Sequence, residues 1–172
     1  WEGGLSFHGG LIGVIVSLYV YSYQHKISFL RLADSICLAM PIGLGMVRIG
    51  NFLNGELYGR PTDGTWGFIF PTDPYGYTRH PSQLYEAFLE GLFLFILLRF
   101  IASKNNKHGV ISGSFLLAYG LIRFFIEYFR QPDSHMGFVA LQLSMGQLLS
   151  IPMVIIGLIL LRKSLRRNEA IS

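Results

Sequence analysis

Four polar residues follow one another closely at the end of an apolar stretch: Arg48, Asn51, Asn54 and Glu56. An ionisable side chain in a membrane helix is costly, so it marks either a functional site or a paired structural ion bridge. An arginine near a membrane surface can bind a phosphate group through two parallel hydrogen bonds, and asparagine amides can add to that contact. The structural alternative is an ion pair between Arg48 and Glu56, with the nearby glycines serving helix packing.

A second polar set recurs at helical spacing further along the chain. Tyr119, Arg123, Glu127 and Arg130 are separated by four, four and three residues, which places them along one face of a helix. Arg123 and Glu127 can pair with each other, and this pairing is the structural interpretation. Because Arg130 adds another positive charge, we expect the face to carry an excess of positive charge and to suit an anionic partner.

Two glutamates one helical turn apart, Glu86 and Glu90, lie inside another apolar stretch. Carboxylates in such a place need partners, and we expect Arg48 and Arg123 to provide them. Charge balance among these four residues is a purely structural alternative to a binding site.

Histidine is the usual general base near neutral pH, and two histidines accompany the polar motifs. His8 lies beside two glycines, and His80 follows Arg79 and precedes Pro81. Since proline suits the first turn of a helix, Arg79 and His80 are expected just outside a helix end. Three other histidines have no supporting pattern and are interpreted as ordinary surface residues: His25, His108 and His135.

The composition predicts an all-α, polytopic helical membrane protein. The chain is 51% hydrophobic and 14% charged, with a mean hydropathy of +0.44, which is more apolar than an ordinary soluble domain. Stretches of about 20 mostly apolar residues can cross a bilayer as helices. Five such spans are predicted, at residues 5–23, 29–49, 83–102, 110–128 and 145–161. We expect residues 1–172 to form one integral-membrane domain.

The basic residues indicate an orientation in the membrane, because short cytoplasmic loops retain lysine and arginine. They fall into three groups, and five alternating spans would place all three on one face: Lys26 with Arg31, Lys104 with Lys107, and Arg162, Lys163, Arg166 and Arg167. That face and the C-terminus are therefore predicted to be cytoplasmic, with the polar motifs on the other side. Despite the net charge of +4, the groups form no continuous stripe, so nucleic-acid binding is not expected.

The long segment between the second and third spans, residues 51–80, is rich in Gly, Pro, Asp and Thr. Its only strand-like run is residues 66–70. We predict a small, irregular extracytoplasmic cap with a short hairpin. The lone Cys37 lies in an apolar stretch and supports neither a disulfide framework nor a thiolate metal site.

These motifs, taken in order, resemble the prolipoprotein diacylglyceryl transferase family. The resemblance rests on His8-Gly9-Gly10-Leu11, on Arg48-x-Gly50-Asn51-Phe52-x-Asn54-Gly55-Glu56-x-x-Gly59, on Arg79-His80-Pro81-Ser82-Gln83-Leu84-Tyr85-Glu86, and on Tyr119-Gly120-x-x-Arg123-x-x-x-Glu127-x-x-Arg130-x-Pro132-Asp133. The order and spacing of the motifs match over almost the whole chain.

The resemblance implies transfer of the diacylglyceryl group of phosphatidylglycerol to the lipobox cysteine of a prolipoprotein, at the outer side of the bacterial cytoplasmic membrane. It implies no metal or organic cofactor. The catalytic residues it implies are His8, Arg48 and Arg123. The residues themselves leave the general base open between His8 and His80, and the resemblance favours His8. The implied phosphatidylglycerol-binding residues are Arg48, Asn51, Glu56, Gly59, Tyr119, Arg123, Glu127 and Arg130.

The resemblance also implies seven spans and an N-terminal part with an important tyrosine, whereas this chain begins at Trp1 near the third span. We therefore expect a shortened chain, which need not be active by itself. The rival functions are another lipid-headgroup transferase and a transporter that uses intramembrane Arg and Glu for an anion and a proton. The aspartate-rich motif of a phosphatidyltransferase, the paired-histidine motifs of a lipid phosphatase and the inverted repeats of a transporter are not visible in the sequence.

Overall fold

The computed structural model of the protein describes residues 7–131 and 143–166, apart from the side chains of Phe7 and His8. Most of these residues are helical. The elements are α1 (Phe7–His25), α2 (Phe29–Leu53), β1 (Phe68–Ile69), β2 (Thr78–Arg79), α3 (Ser82–Glu86), a π-helical segment (Ala87–Phe93), α4 (Leu94–Lys104), α5 (Val110–Ile126) and α6 (Met145–Arg166).

Each of the five predicted apolar stretches is helical where the structure describes it. The third stretch is a continuous helical rod made of α3, the π-helical segment and α4. Among the described helices, α2 and α6 are long and apolar enough to cross a membrane, and α5 is apolar but shorter. The C-terminal ends of all five helical stretches differ from the prediction by two to five residues, and two of these differences bear on the polar motifs. Helix α2 runs on to Leu53, so Asn51 lies in its last turn, and α5 ends at Ile126, before the predicted residue 128.

Two glycines bring α2 into backbone contact with the π-helical segment. A Cβ added to Gly91 would lie 2.8 Å from the Cα of Gly45, so a side chain at this crossing would push the helices apart. Arg48 follows Gly45 by about one turn, and Glu90 directly precedes Gly91. The close crossing therefore brings the arginine on one helix to the glutamates on the other.

Helices α5 and α6 also pack through glycines. A Cβ added to Gly157 would lie 2.6 Å from the backbone nitrogen of Leu117, and one added to Gly113 would lie 2.9 Å from that of Leu161. Close backbone approach through small residues is the usual way that helices associate in lipid. This pair fixes α5, which carries Tyr119 and Arg123.

One end of the helix bundle is organised by a buried aspartate. The Asp34 carboxylate of α2 accepts hydrogen bonds from the backbone nitrogens of Gly109 (2.6 Å) and Ser112 (2.8 Å), so it caps the first turn of α5 from a neighbouring helix. At the same end, Lys107 donates to the Leu165 carbonyl oxygen (3.0 Å). The described basic groups lie in the segments that meet here.

The segment between α2 and α3 forms the predicted hairpin, with β1 paired antiparallel to β2 through Phe68 opposite Arg79 and Ile69 opposite Thr78. A separate bridge joins Gly59 to Arg130, and Arg60 donates its backbone nitrogen to the Phe129 carbonyl oxygen (2.9 Å). The segment is thus attached to the far end of α5. Arg130 lies in this extended pairing and not on the helical face predicted for it.

Replacing Gly91 by alanine should destabilise the protein, because the new Cβ meets the backbone of Gly45. Overpacking of this kind costs about 1–3 kcal/mol. Unfolding in mixed detergent micelles, followed by circular dichroism, measures the loss. Gly43→Ala is the matched control on α2, where a Cβ meets no atom within 4 Å, and it should be neutral or slightly stabilising. Equal effects of the two changes would contradict the close crossing.

Candidate active site

A single carboxylate oxygen gathers arginines from three parts of the fold. Oε2 of Glu86, on α3, lies 2.7 Å from Arg48 Nε on α2 and 3.0 Å from Arg123 Nη1 on α5. Arg130 Nη1, beyond the end of α5, lies 3.6 Å from the same oxygen. Glu86 is fully buried, whereas the Arg48 and Arg123 side chains keep 16% and 15% of their surface exposed. The carboxylate therefore orients both guanidinium groups and leaves part of each accessible.

Arg123 has two further acidic neighbours. Its Nη2 lies 3.1 Å from Glu127 Oε2, one helical turn away, and its Nη1 lies 3.6 Å from Glu90 Oε1. Glu90 is fully buried, and neither of its carboxylate oxygens has a hydrogen-bond partner among the described residues. This group, which we call the arginine cluster, consists of Arg48, Arg123, Arg130, Glu86, Glu90 and Glu127.

The arginine cluster confirms two predicted pairings and rules out a third. Arg123 does pair with Glu127, Arg48 pairs with Glu86, and Arg123 pairs with both Glu86 and Glu90. The residues for which an excess of positive charge was predicted, Arg123, Glu127 and Arg130, lie next to Glu86 and Glu90 of the neighbouring rod, so three carboxyl groups face three guanidinium groups in the cluster. The proposed Arg48–Glu56 ion pair is wrong, since the salt-bridge partner of Arg48 in the described chain is Glu86.

A row of amides links the arginine cluster to Glu56. Arg48 Nη1 makes a long contact of 3.5 Å with Asn51 Oδ1, and Asn51 Nδ2 donates to Glu56 Oε1 at 2.8 Å. Asn54 Nδ2 lies 3.4 Å from the same glutamate oxygen, and Gln83 Nε2 donates to the Glu56 backbone oxygen at 2.7 Å. Glu56 itself is exposed. The structure thus brings Asn51 and Glu56 together with Arg48, as a polar rim beside the buried charges.

Gly59 is required by close backbone packing. A Cβ at this position would lie 2.7 Å from the His80 carbonyl oxygen and 2.5 Å from that of Phe129. The Gly59 backbone nitrogen also donates to the His80 oxygen at 2.9 Å. The role of Gly59 in the structure is therefore to let the hairpin segment sit against the Arg130 end of α5.

Of the two candidate general bases, the structure describes the side-chain contacts of His80 but not those of His8. His80 Nδ1 lies 3.3 Å from the Tyr85 hydroxyl, and its ring meets Phe129 edge-on with 5.5 Å between centroids. His8 belongs to the first turn of α1, but its side chain lies outside the described part of the chain.

Tyr119 stacks on Phe115 with 5.6 Å between centroids and packs against the apolar cluster formed by Leu94, Leu98 and Phe115.

A second ion pair holds the hairpin segment. Arg79 donates from Nε to Asp73 Oδ2 (2.7 Å) and from Nη2 to Oδ1 (3.0 Å), and its Nη1 donates to Gln131 Oε1 (3.0 Å). Tyr77 adds a backbone hydrogen bond to Asp73 Oδ2 at 3.0 Å. The Arg79 guanidinium, with help from this backbone donor, lowers the pKa of Asp73 below its ordinary value of 3.8. The bidentate ion pair therefore holds Arg79 within the segment, and the Arg79–Gln131 hydrogen bond attaches the segment to the chain beyond the end of α5.

Comparison with known proteins identifies the family. The family described as prolipoprotein diacylglyceryl transferase matches residues 1–162. The chain belongs to this family. It is 54% identical over 158 residues to the phosphatidylglycerol–prolipoprotein diacylglyceryl transferase of Geobacter sulfurreducens, covering 92% of the chain. It is 52% identical to the proteins of the same name from Photobacterium profundum over 161 residues (94% of the chain) and Bordetella parapertussis over 157 residues (91%).

The chain spans about 60% of the length of each of these relatives. Their shared name supports a transferase and does not favour the transporter or another headgroup transferase.

Three acidic residues of this member of the transferase family make structural contacts that their sequence patterns do not predict in full. Glu86 was expected to pair with arginine but was not placed among the site residues, although it is the shared acceptor. Its signal was the i, i+4 spacing with Glu90 in an apolar helix. Asp73 and Asp34 gave no local signal, because their partners are distant in sequence or are backbone groups.

Replacing Glu86 by glutamine should destabilise the protein by about 3 kcal/mol, because the change leaves buried arginines without their shared counter-charge. Glu90→Gln is the matched comparison: it removes a carboxylate whose described ion pair is one long contact of 3.6 Å with Arg123 and which has no described hydrogen bond, so it should cost less than about 1 kcal/mol. Unfolding in mixed micelles measures both free energies. An equal loss in the two variants would show that Glu86 is not the organising carboxylate.

Asp73→Asn should loosen the hairpin segment at neutral pH and have less effect in acid. Because the folded-state pKa of Asp73 lies below 3.8, its stabilisation is complete above the unfolded-state value and is lost as pH falls through the folded-state value. Hydrogen exchange of the Tyr77 backbone N–H, corrected for intrinsic rate, measures this from pH 3 to 7. Asp63→Asn, at an exposed aspartate of the same segment, should leave the protection of Tyr77 unchanged at every pH.

Proposed function

We propose that this chain carries the membrane-embedded active site of an enzyme that transfers the sn-1,2-diacylglyceryl group of phosphatidylglycerol to the lipobox cysteine of prolipoproteins. The observation that carries the proposal is the convergence of Arg48 and Arg123 on one oxygen of Glu86, at 2.7 and 3.0 Å. Family membership and the names of the relatives support the same reaction.

The proposed phosphate site uses the edges of the two guanidinium groups that Glu86 does not occupy. A guanidinium carries five N–H donors in a fixed fork, and Glu86 engages Nε of Arg48 and Nη1 of Arg123. Since both groups are held by a buried carboxylate, they need little reorganisation when a phosphodiester binds. Asn51 and Glu56, with Asn54 behind them, would contact the glycerol headgroup at the exposed rim, and Glu127 and Arg130 would hold Arg123 and the rim in place.

In the proposed reaction the cysteine thiolate attacks the glyceryl carbon that bears the phosphate. A carbon–sulfur bond forms, the carbon–oxygen bond breaks, and glycerol 1-phosphate leaves with the electron pair on its phosphate oxygen. Arg48 and Arg123 stabilise the charge that develops on that oxygen. The thiol must first lose its proton, because the thiolate is the nucleophile.

His8 is our proposed base, on the strength of the family resemblance, and His80 is the alternative. The contact between His80 Nδ1 and the Tyr85 hydroxyl favours a positioning role for that ring. Gly59 serves the same region by allowing the backbone of the hairpin segment to approach His80. Tyr119 would support Arg123 from one helical turn away on α5.

We also propose the membrane arrangement. Residues 1–172 would form one multi-pass domain of the bacterial cytoplasmic membrane, with all five helical rods spanning the bilayer. Basic residues gather at the end where Asp34 caps α5, and the positive-inside rule makes that end and the C-terminus cytoplasmic. The arginine cluster and the cap formed by residues 51–80 would then face the outer side, where phosphatidylglycerol and the signal peptide of the prolipoprotein meet.

Arg48→Ala should lower diacylglyceryl transfer by about 10²–10³-fold, the usual loss when a donor to developing negative charge is removed. Labelled phosphatidylglycerol and a lipobox peptide in vesicles measure transfer and the release of glycerol phosphate. Both this chain and the Geobacter sulfurreducens relative with the equivalent change should be assayed. Arg99→Ala, at an exposed arginine on α4, is the matched control and should keep its activity. Near wild-type transfer by the Arg48 variant would refute the phosphate site.

A further inference from the structure

The hairpin presents an apolar surface that the proposed reaction does not use. Trp66 is 80% exposed, Ile69 68% and Phe68 48%, and Leu53 at the end of α2 is 77% exposed. We call these four residues the hairpin patch. None of them is charged, and two of them are aromatic.

The hairpin patch continues a stripe of exposed apolar residues on α2. The stripe consists of Ile42, Met46, Ile49 and Leu53, which are 41% to 77% exposed and are spaced by four, three and four residues along one helical face. Leu53 and Ile69 line the same open cavity of about 250 Å³, together with Phe52, Phe68 and Phe70. Since α2 is one of the helices apolar enough to cross a membrane, its apolar stripe runs directly onto the hairpin.

The other side of the hairpin is rigidly attached to the protein. Phe70 is buried and stacks on Tyr58 with 5.2 Å between centroids. Phe68 meets Phe52 of α2 edge-on at 5.5 Å. Behind them lies the bidentate pair of Arg79 with Asp73. The patch is therefore held in a fixed orientation by its own packing.

We propose that the hairpin patch is immersed in the bilayer at the boundary between headgroups and acyl chains, with lipid acyl chains in the cavity beside Leu53 and Ile69. Tryptophan favours this depth because its ring is largely apolar and its indole N–H needs a polar partner. The inference rests on the proposed membrane location of the chain. Its consequence is that the cap anchors the arginine cluster at the level of lipid phosphates, so that the substrate headgroup need not leave the membrane.

Trp66 allows a direct test, because Trp1 and Trp66 are the only tryptophans in the sequence. The Trp1→Phe chain is reconstituted in phosphatidylcholine–phosphatidylglycerol vesicles that contain lipids brominated at carbons 6 and 7 or at carbons 11 and 12. We expect Trp66 emission at short wavelength, stronger quenching by the shallow bromines than by the deep ones, and little quenching by aqueous iodide. Strong iodide quenching with no effect of bromine would overturn the proposal.

Reference tryptophans separate this proposal from the membrane location itself. Both native tryptophans are first replaced by phenylalanine. In that background, Ile155→Trp reports on the exposed face of α6, and Asn106→Trp reports on the loop between α4 and α5, at the end of the helices away from the hairpin. Bromine quenching at position 155 without quenching at Trp66 would reject the immersed hairpin and keep the membrane location. Absence of quenching at both positions would reject both.

The alternative to lipid contact is that the hairpin patch binds the signal peptide, and the emission of Trp66 distinguishes the two. If Trp66 emission shifted only after a lipobox peptide was added to the vesicles, a protein partner would replace lipid and the proposal would fall. A charge on the patch provides a second check. Ile69→Asp should raise iodide quenching of Trp66 at least twofold, whereas Ile69→Val should leave it unchanged.

Discussion

The shared Glu86 carboxylate is the interaction on which the rest of the structure depends. Buried charges are stable only when each has a close counter-charge or hydrogen-bond partner. Glu86 lies on the rod that begins at α3, while its partners Arg48 and Arg123 lie on α2 and α5. Any shift of these helices would separate charges in a medium of low dielectric constant. The charges therefore help to fix the positions of the helices relative to one another.

Such an arrangement needs helices that approach closely, and the glycines make this possible. The Gly45–Gly91 crossing brings Arg48 to Glu86, and the Gly113–Gly157 contact holds α5 in place. At the opposite end, Asp34 satisfies the first turn of α5 and joins it to α2. The same two helices are thus tied at both ends, by carboxylates with different partners. This dual attachment leaves little freedom for the guanidinium groups, which is the requirement for a preorganised anion site.

Much of the helical fold could be predicted from the sequence, because five apolar stretches and their basic flanks are local signals. The short hairpin was predicted from another local signal, the strand-like run of residues 66–70 within a segment rich in Gly, Pro, Asp and Thr. The partners of the charges were harder to predict. Proximity in sequence suggested Glu56 as an alternative partner for Arg48, but Asn51 and Asn54 bind Glu56, and Arg48 pairs with Glu86, as the two glutamates in an apolar stretch predicted. The position of Arg130 was misjudged for a related reason: it pairs with Gly59, which is distant in the sequence.

The irregular segment of residues 51–80 is attached directly to the arginine cluster, which is formed mostly by helical residues. Gly59 and Arg60 pair with the backbone at Phe129 and Arg130, while the Arg130 guanidinium faces Glu86. Arg79 reaches from the hairpin to Asp73 and to Gln131, the residue that follows Arg130. A movement of the cap would therefore pull on the backbone that positions a charge in the cluster. The irregular segment between α2 and α3 is in this way coupled to the buried charges of the helices through backbone pairing and two arginines.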